Sequence, residues 1–502
     1  MLATFMEVLD STVVNVSLPH IGGNLSVSTD EVTWVITSYL VSNAIVLPAT
    51  GWLSQVFGRK RLYMTCVGLF AFSSFLCGLA PSLTWLVFFR IMQGLGGGAM
   101  QPISQAILLE SFPLRRRGMG MAIFGVGVVF APVIGPTLGG WITDVYSWRW
   151  IFFINVPIGL LSLFLTQLFV ADPPYLKRGV GRIDAIGLGL LALGIGTLQY
   201  VLDQGQRADW FQTSWVVQVA LLSATSLIML VIWESRTRQP VIDLRIFRVR
   251  NYSPAVILIF ALGVTLYGSL VLIPLFLQNL LGYTATQSGL AMSPGGIGTL
   301  LFMPLVGFMV GRYDVRAMII FGLLMLIISM FMAAQYTLDI NYWDIVEPRI
   351  IMGIGLAFLF VPLATVMASF LPKEKIGTAT GIFNLMRNLG GSVGIALVTT
   401  LLAKRSQFHQ ERLIEHLNPF DPAYQQAFQA AVNQLMAQGV PSDTAQQQAL
   451  GIIYGQVQRQ ATLLAFVDCF WVLGVAMIIS VALVFIMRRP PSHARTTPPG
   501  AH

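Results

Sequence analysis

Two carboxylates and one arginine sit inside long apolar runs of this chain, where a charge is hardest to keep. Glu7 and Asp10 lie in Met6-Glu7-Val8-Leu9-Asp10-Ser11-Thr12, and Arg90 lies in Leu86-Val87-Phe88-Phe89-Arg90-Ile91-Met92-Gln93-Gly94. A charged side chain at the centre of a bilayer costs roughly 2.5–3.5 kcal/mol on insertion scales, so each such residue implies a partner and a use. The two acids are three residues apart and share a helix face, with Ser11 and Asn15 on successive turns near Glu7. Two acids that close cannot both ionise cheaply away from water, which suits a site that takes up and releases a proton. A guanidinium as deep as Arg90 reaches no lipid–water interface and needs a counter-charge, for which a carboxylate of the first run is the natural candidate. The chemistry implied is proton exchange coupled to charge pairing, with Asp10 placed first. A structural ion pair, or a hydrogen bond to a neighbouring helix, would account for the same residues without proton traffic.

Such chemistry needs a bilayer, and the composition points to one. Of 502 residues, 55% are hydrophobic and only 10% are charged, against about 25% charged in an ordinary soluble domain. About fourteen apolar runs recur, near 1–22, 33–57, 62–80, 84–109, 118–142, 149–170, 184–202, 214–233, 253–278, 288–311, 316–336, 345–370, 377–403 and 461–487. Each can cross roughly 30 Å of hydrocarbon as a helix and is too long for the roughly 10-residue strands of a membrane barrel. The fold expected is an all-α integral membrane protein, with membrane lipids around it.

Basic residues set the orientation, because short loops rich in Lys and Arg stay in the cytoplasm. They follow the even-numbered runs: Arg59, Lys60 and Arg61; Arg115, Arg116 and Arg117; Lys177, Arg178 and Arg182; five arginines from Arg236 to Arg250, including Arg238; Arg312 and Arg316; Lys373 and Lys375; Arg488, Arg489 and Arg495. Both termini are therefore expected in the cytoplasm. The net charge of +8 is explained by this asymmetry, which leaves no case for nucleic-acid binding. Cys66, Cys77 and Cys469 fall within runs and lack metal-ligand spacing, so they read as small apolar fillers, with no disulfide and no metal expected. No basic leader or small-residue cleavage site precedes the first run, which argues against a cleaved signal peptide. That run begins abruptly at Met1, and the expectation is a start upstream of it.

Two stretches resemble one another at matched spacing. Gly51-Trp52-Leu53 parallels Gly307-Phe308-Met309, each followed about 40 residues later by a buried arginine, Arg90 or Arg349, and then by a small-residue run. Such repeats are typical of transporters that bind substrate between two bundles. The pairing divides the chain into a six-helix bundle at 1–171, two inserted helices with their flanking loops at 172–250, and a second six-helix bundle at 251–487. The hydrophilic stretch 404–460, rich in Gln and Ala with Pro419, Pro422 and Pro441 as breakers, is expected on the outer side as helix in patches. It reads as a solvated connector or as a docking surface for a periplasmic partner. The Pro-rich tail 488–502 reads as disordered.

Several motifs resemble, in order, those of the fourteen-span drug:proton antiporter branch of the major facilitator superfamily, the EmrB/QacA type. Leu9-Asp10-Ser11-Thr12-Val13-Val14-Asn15-Val16-Ser17-Leu18-Pro19 matches that branch's first-span signature except at Ser17. The loop Gly51 to Arg61 resembles the superfamily's loop signature, with Gly51, Gly58, Arg59 and Lys60 in place. Gln55 and Val56 stand where an acid and the first arginine would be, so a charge link through that acid is not carried over, and plain topology charges account equally well for Arg59 and Lys60. Arg90 matches the buried-arginine motif. In Gly125 to Gly140 the antiporter motif of exporters appears, with Gly127, Pro132, Gly135, Pro136, Gly139 and Gly140 allowing close helix contact and a kink, or simply small-residue packing. Trp148-Arg149-Trp150 through Asn155-Val156-Pro157 also resembles the branch.

The resemblance implies a proton-driven exporter of hydrophobic or amphipathic drugs across the inner membrane. Proton coupling would involve Asp10, Glu7 and Arg90; Asn15, Gln93, Asn384, Arg387 and Asn388 are candidates to line the substrate cavity. It also implies a periplasmic adaptor and an outer-membrane channel as partners. A dedicated exporter of one natural product or of fatty acids fits the same sequence, and a non-transporting sensor or scaffold is the alternative of another class. No cluster reads as an enzyme, no cofactor is implied, and the glycine runs lack the Lys-Ser/Thr of a phosphate loop. Asp468 carries no motif.

Overall fold

A computed structural model describes residues 1–113, 116–172, 184–237, 240–369, 371–415, 417–418 and 420–487. Arg115, Lys177, Arg178, Arg182, Arg238, Pro419, Arg488, Arg489, Arg495, the tail 488–502 and the side chain of Pro136 lie outside the described residues.

The apolar runs fold as helices. The first part of the chain forms α1 (Leu2–Leu25), a single turn α2 (Thr29–Val32), α3 (Trp34–Phe57), α4 (Arg59–Leu79), α5 (Leu83–Gly97), α6 (Met100–Ser111), α7 (Arg117–Val145), α8 (Trp150–Phe153) and α9 (Asn155–Phe169). Next come α10 (Ala185–Gln204) and α11 (Ser214–Arg236). The last part forms α12 (Tyr252–Asn279), α13 (Ala285–Met309), α14 (Val315–Ala333), α15 (Tyr342–Met367), α16 (Ile376–Glu415), α17 (Pro422–Ala437) and α18 (Ser442–Ile486). Eleven helices among the described residues are long and apolar enough to cross a membrane, or twelve when α7 is counted across its 44° bend between Arg117–Pro132 and Thr137–Val145.

The fourth run is divided rather than continuous. α5 and α6 part at Gly98 and Ala99, where α3 presses in: a Cβ on Gly98 would lie 2.5 Å from the Asn43 carbonyl oxygen, and one on Gly94 would lie 2.0 Å from Ser42 Oγ. Only glycine permits that approach, and it brings the polar face of α5 against α3.

α1 packs on α7, α5 sits between α3 and α4, and α4 meets α9. In the second part α12 packs on α16, α15 lies between α13 and α14, and α18 touches α12, α14 and α16. α10 and α11 form a pair whose first member lies against both α3 and α16, at the seam between the two groups. Gln199 of α10 donates to Ser392 Oγ of α16 at 2.7 Å, and Thr37 of α3 donates to Asp203.

The stretch 404–460 is far more helical than its hydrophilicity suggests. α16 runs on to Glu415, and α18 starts at Ser442, well before the apolar run at 461. Ala and Gln are good helix formers, so the helices continue where hydropathy falls silent. At about 1.5 Å per residue the 40 residues of α16 and 45 of α18 exceed what roughly 30 Å of hydrocarbon requires. α17 folds back on α18 around a small core of Ala431, Val432, Ala445 and Ala449. Asp468 joins the two long helices, accepting from Arg405 and pairing with His409 Nε2 at 2.7 Å.

Candidate functional site

Asp10 is buried, and its carboxylate is held on three sides. Arg90 Nη1 donates to Oδ2 at 2.6 Å, while Gln93 Nε2 and Asn155 Nδ2 donate to Oδ1 at 3.0 and 2.7 Å. Arg90, fully buried, also donates from Nε to the Val35 carbonyl at 3.0 Å and from Nη1 to Gln93 Oε1 at 2.8 Å, and lies 4.2 Å from the centre of the Tyr39 ring. Arg90 and Gln93 meet the same acid because they are one turn apart on α5. Taking an ion pair out of water is costly, and the extra donors on Asp10 are what make this one sustainable.

Glu7, one turn earlier on α1, is buried but less fully held. Asn43 Nδ2 donates to Oε1 at 3.0 Å, and Oε2 has no hydrogen-bond partner among the described residues. The Gln101 side chain interacts with Glu7 and accepts a hydrogen bond from Arg387 Nη2. A polar chain thus runs from α1 through α6 to α16, across the two helix groups. A second bridge lies beside it, from Asn384 Nδ2 to Gln105 Oε1 at 2.6 Å. Asn388 Oδ1 accepts from Arg387 at 3.2 Å. Arg387 is 2% exposed, and its Nε and Nη1 find no partner among the described residues.

Residues 1–395 match the Major Facilitator Superfamily. The chain belongs to that superfamily. It is 38% identical over 504 residues to the multidrug export protein EmrB of Escherichia coli K12, covering 100% of this chain and 96% of that one. It is 35% identical over 496 residues to the fatty acid resistance protein FarB of Neisseria gonorrhoeae, covering 98% and 95%. These similarities place it in the EmrB/QacA drug:proton antiporter branch, a family of multi-pass membrane transporters and not of enzymes. The superfamily fold appears in its likeness to the solved proton:xylose symporter XylE, with a TM-score of 0.61, 15% identity and coverage of 96% and 94%.

The superfamily's loop signature is rewired here. Gly58 adopts φ +82°, a conformation that suits glycine, at the turn between α3 and α4. Where the signature's acid is missing, Arg59 Nη1 instead meets Glu110 Oε2 of α6 at 2.6 Å, both side chains being buried. Lys60 Nζ donates to the Gln167 carbonyl at 2.8 Å, and its backbone N–H donates to Asp172 at 2.8 Å. Gly51 faces the other helix group, where a Cβ would lie 2.4 Å from the Thr378 backbone.

The antiporter-motif helix α7 divides its contacts. Near its start, Gly118 abuts Gly307 of α13 and Gly125 abuts Met303, while later Gly135 and Gly139 abut Thr12 and Val13 of α1. Gly127 faces Met1, and Gly140 has only Val16 near it, at 3.9 Å from a Cβ. Pro132 precedes the bend and lines a cavity of about 120 Å³ bounded by α7, α12, α13, α15 and α16.

Of the cavity candidates read from the sequence, Gln93 belongs to the Asp10 group, Asn384 and Arg387 bridge the helix groups, Asn388 is half-buried beside Arg387, and Asn15 is exposed. Ser11 donates to the Val8 carbonyl at 2.8 Å rather than joining Glu7. Asn43, Gln101, Gln105 and Asn155 were not among the candidates. Each is a neutral amide that shares its apolar run with another amide, so the run alone does not single it out.

Proposed function

We propose that this protein exports hydrophobic or amphipathic drugs across the inner membrane in exchange for protons, by alternating access between two bundles. The observation that carries the reading is the buried group of Glu7, Asp10 and Arg90, set on a chain akin to a multidrug exporter. Asp10 holds Arg90, while Glu7 Oε2, without a hydrogen-bond partner among the described residues, is the oxygen that receives a proton. A proton on either acid changes what the guanidiniums of Arg90 and Arg387 are paired with, and so the balance between the two arrangements of the bundles. Each charge moved contributes about 2.3 kcal/mol per 100 mV of membrane potential, enough for one or two protons to sustain a useful gradient.

Fourteen spans are the count we adopt. α1, the broken pair α5–α6 and the bent α7 join the eleven helices, and the seam position of α10 and α11 supports an insert between bundles at 1–171 and 251–487. Basic helix ends gather at one face, where Arg59 meets Glu110, Arg117 donates to the Ala368 carbonyl at 3.4 Å and Lys375 meets Asp243 at 2.7 Å. We assign that face, and both termini, to the cytoplasm. Close approaches between the groups also cluster there, at Gly51 with Thr378, Leu47 with Gly381 and Gly118 with Gly307. The conformation is accordingly closed toward the cytoplasm. The helical outer arm is the surface we assign to a periplasmic adaptor serving an outer-membrane channel.

A dedicated fatty-acid exporter is the second reading, favoured by the similarity to FarB. Export from proteoliposomes under an imposed pH gradient tests the main one. Loss of gradient-driven export in Asp10→Asn is expected; full export by that variant would remove the acid from the mechanism.

A further inference from the structure

The stretch from Trp148 to Pro157 delivers one side chain to the proton site. Trp148 Nε1 donates to Asn24 Oδ1 of α1 at 3.2 Å, and Arg149 Nη1 donates to the Gly78 and Ala80 carbonyls at the end of α4, at 3.1 and 2.8 Å. Carbonyls at a helix end lack partners within the helix, and a side chain can satisfy them. Ser74 Oγ of α4 donates to the Phe152 carbonyl at 2.9 Å. With α8 held in this way on α1 and α4, the chain breaks at Ile154 and α9 opens with Asn155, which is fully buried. Its Nδ2 reaches Asp10 Oδ1 at 2.7 Å and Ser74 Oγ at 3.0 Å.

The three donors around Asp10 differ in what they offer once the acid gains a proton. A carboxyl O–H needs an acceptor, and a guanidinium has none. Gln93 is committed at both ends, because its Oε1 accepts from Arg90 Nη1 at 2.8 Å and from the Cys77 thiol at 3.7 Å. Turning that amide would set N–H groups against the guanidinium. Asn155 is committed at one end only. Its Oδ1 is buried and has no hydrogen-bond partner among the described residues. A buried acceptor left unmade is costly, and a half-turn exchanges an amide's donor end for its acceptor end.

We propose that Asn155 is a positioning residue that turns over with the charge of Asp10. This rests on the reading of Asp10 as a proton carrier. While the acid is ionised, Asn155 Nδ2 donates to it. A proton from water then binds Asp10 Oδ1, and a half-turn of the Asn155 amide brings the amide oxygen round to accept that O–H. Arg90 goes on donating to Asp10 Oδ2, and the Ser74 hydroxyl swings from the Phe152 carbonyl to the same amide oxygen. Deprotonation returns the proton to water and reverses the turn; Asn155 itself neither gains nor loses one. Both forms of the acid are thus held at the same place on α1.

Difference infrared spectra of the full-length protein in lipid vesicles, recorded on a step from alkaline to acidic buffer, test this with isotope-labelled asparagine. A carboxyl band that Asp10→Asn abolishes reports the proton on Asp10. An asparagine side-chain carbonyl band should move to lower frequency with it, and that movement should vanish in Asn155→Leu and in Asp10→Asn. Gradient-driven export should fall about tenfold in Asn155→Leu, the worth of one hydrogen bond to a charged group, and recover in part in Asn155→Ser, whose hydroxyl both donates and accepts. Melting temperatures report folding, and Asn155→Ser serves for the spectra if Asn155→Leu does not fold. An Asp10 band with no accompanying amide movement would mean that Asn155 only props the carboxylate, which overturns the proposal and leaves Asp10 as a proton carrier. An amide movement that survives in Asp10→Asn overturns it too. Absence of any Asp10 band would sink the proton-carrier reading and this proposal together.

Discussion

Glu7 and Asp10 stand three residues apart on one face of α1 yet answer to different halves of the molecule. Asp10 is bound at 2.6 Å to Arg90 within its own helix group, while Glu7 reaches Arg387 of the other group through Gln101. One acid thus ties α1 to α5, and its neighbour lies on the polar chain that crosses between the groups. The two acids therefore have different partners, and single substitutions can read the difference.

For Asp10 and Arg90, removing one partner strands the other charge in a buried place. Arg90→Met alone is expected to cost about 3–5 kcal/mol, with much of the loss recovered in Arg90→Met/Asp10→Asn. Thermal melting of the detergent-solubilised protein checks this. Equal destabilisation in the single and double variants would mean that the pair does not act as a unit.

Glu7→Gln keeps an oxygen to accept from Asn43 but cannot change its charge. The variant should fold, bind substrate and exchange it across a vesicle membrane at zero gradient, yet gain nothing from an imposed pH difference. Gradient-driven accumulation at the wild-type level would show that Glu7 carries no coupling.

At Gly51 there is no room for a side chain, because Thr378 occupies the place. Gly51→Val should hold the groups apart on the basic-loop face and shift the molecule toward the opposite opening. Spin labels at Arg61→Cys and Lys373→Cys should then move apart by several ångströms; an unchanged distance distribution would show that this contact does not control closure.

The outer arm can be disturbed without touching the membrane helices. Val432→Asp places an unpaired charge in the small core between α17 and α18, at a local cost of about 1–3 kcal/mol. Proteolysis at α17 should accelerate while melting of the rest is unchanged, and an adaptor that co-purifies with the wild type should be lost. Retained co-purification would place the docking surface elsewhere.

How legible these features were depended on contrast with their surroundings. Glu7, Asp10 and Arg90 stood out because a charge in an apolar run has few ordinary explanations, and the pairing of Arg90 with a first-span acid followed from the same scarcity. Asn155 and Asn43 complete the two acid sites but are neutral, so nothing in their local runs distinguished them from helix-packing amides. The partner of Arg59 was not legible at all, since Glu110 lies 51 residues away and replaces an acid missing from the loop itself. The length of α16 and α18 escaped for a simpler reason: hydropathy marks where lipid ends, whereas helix propensity decides where the helix ends.

Those two helices also give the molecule an external pointer. α18 is one continuous helix of 45 residues, so its part before the apolar run, residues 442–460, turns with the bundle to which the rest is packed. At about 1.5 Å per residue, a tilt of about ten degrees displaces an arm of roughly 30 Å by about 5 Å at its tip. The proposed cycle can thus be followed by an antibody fragment or fluorophore fixed near Ser442, with no probe placed in the bilayer.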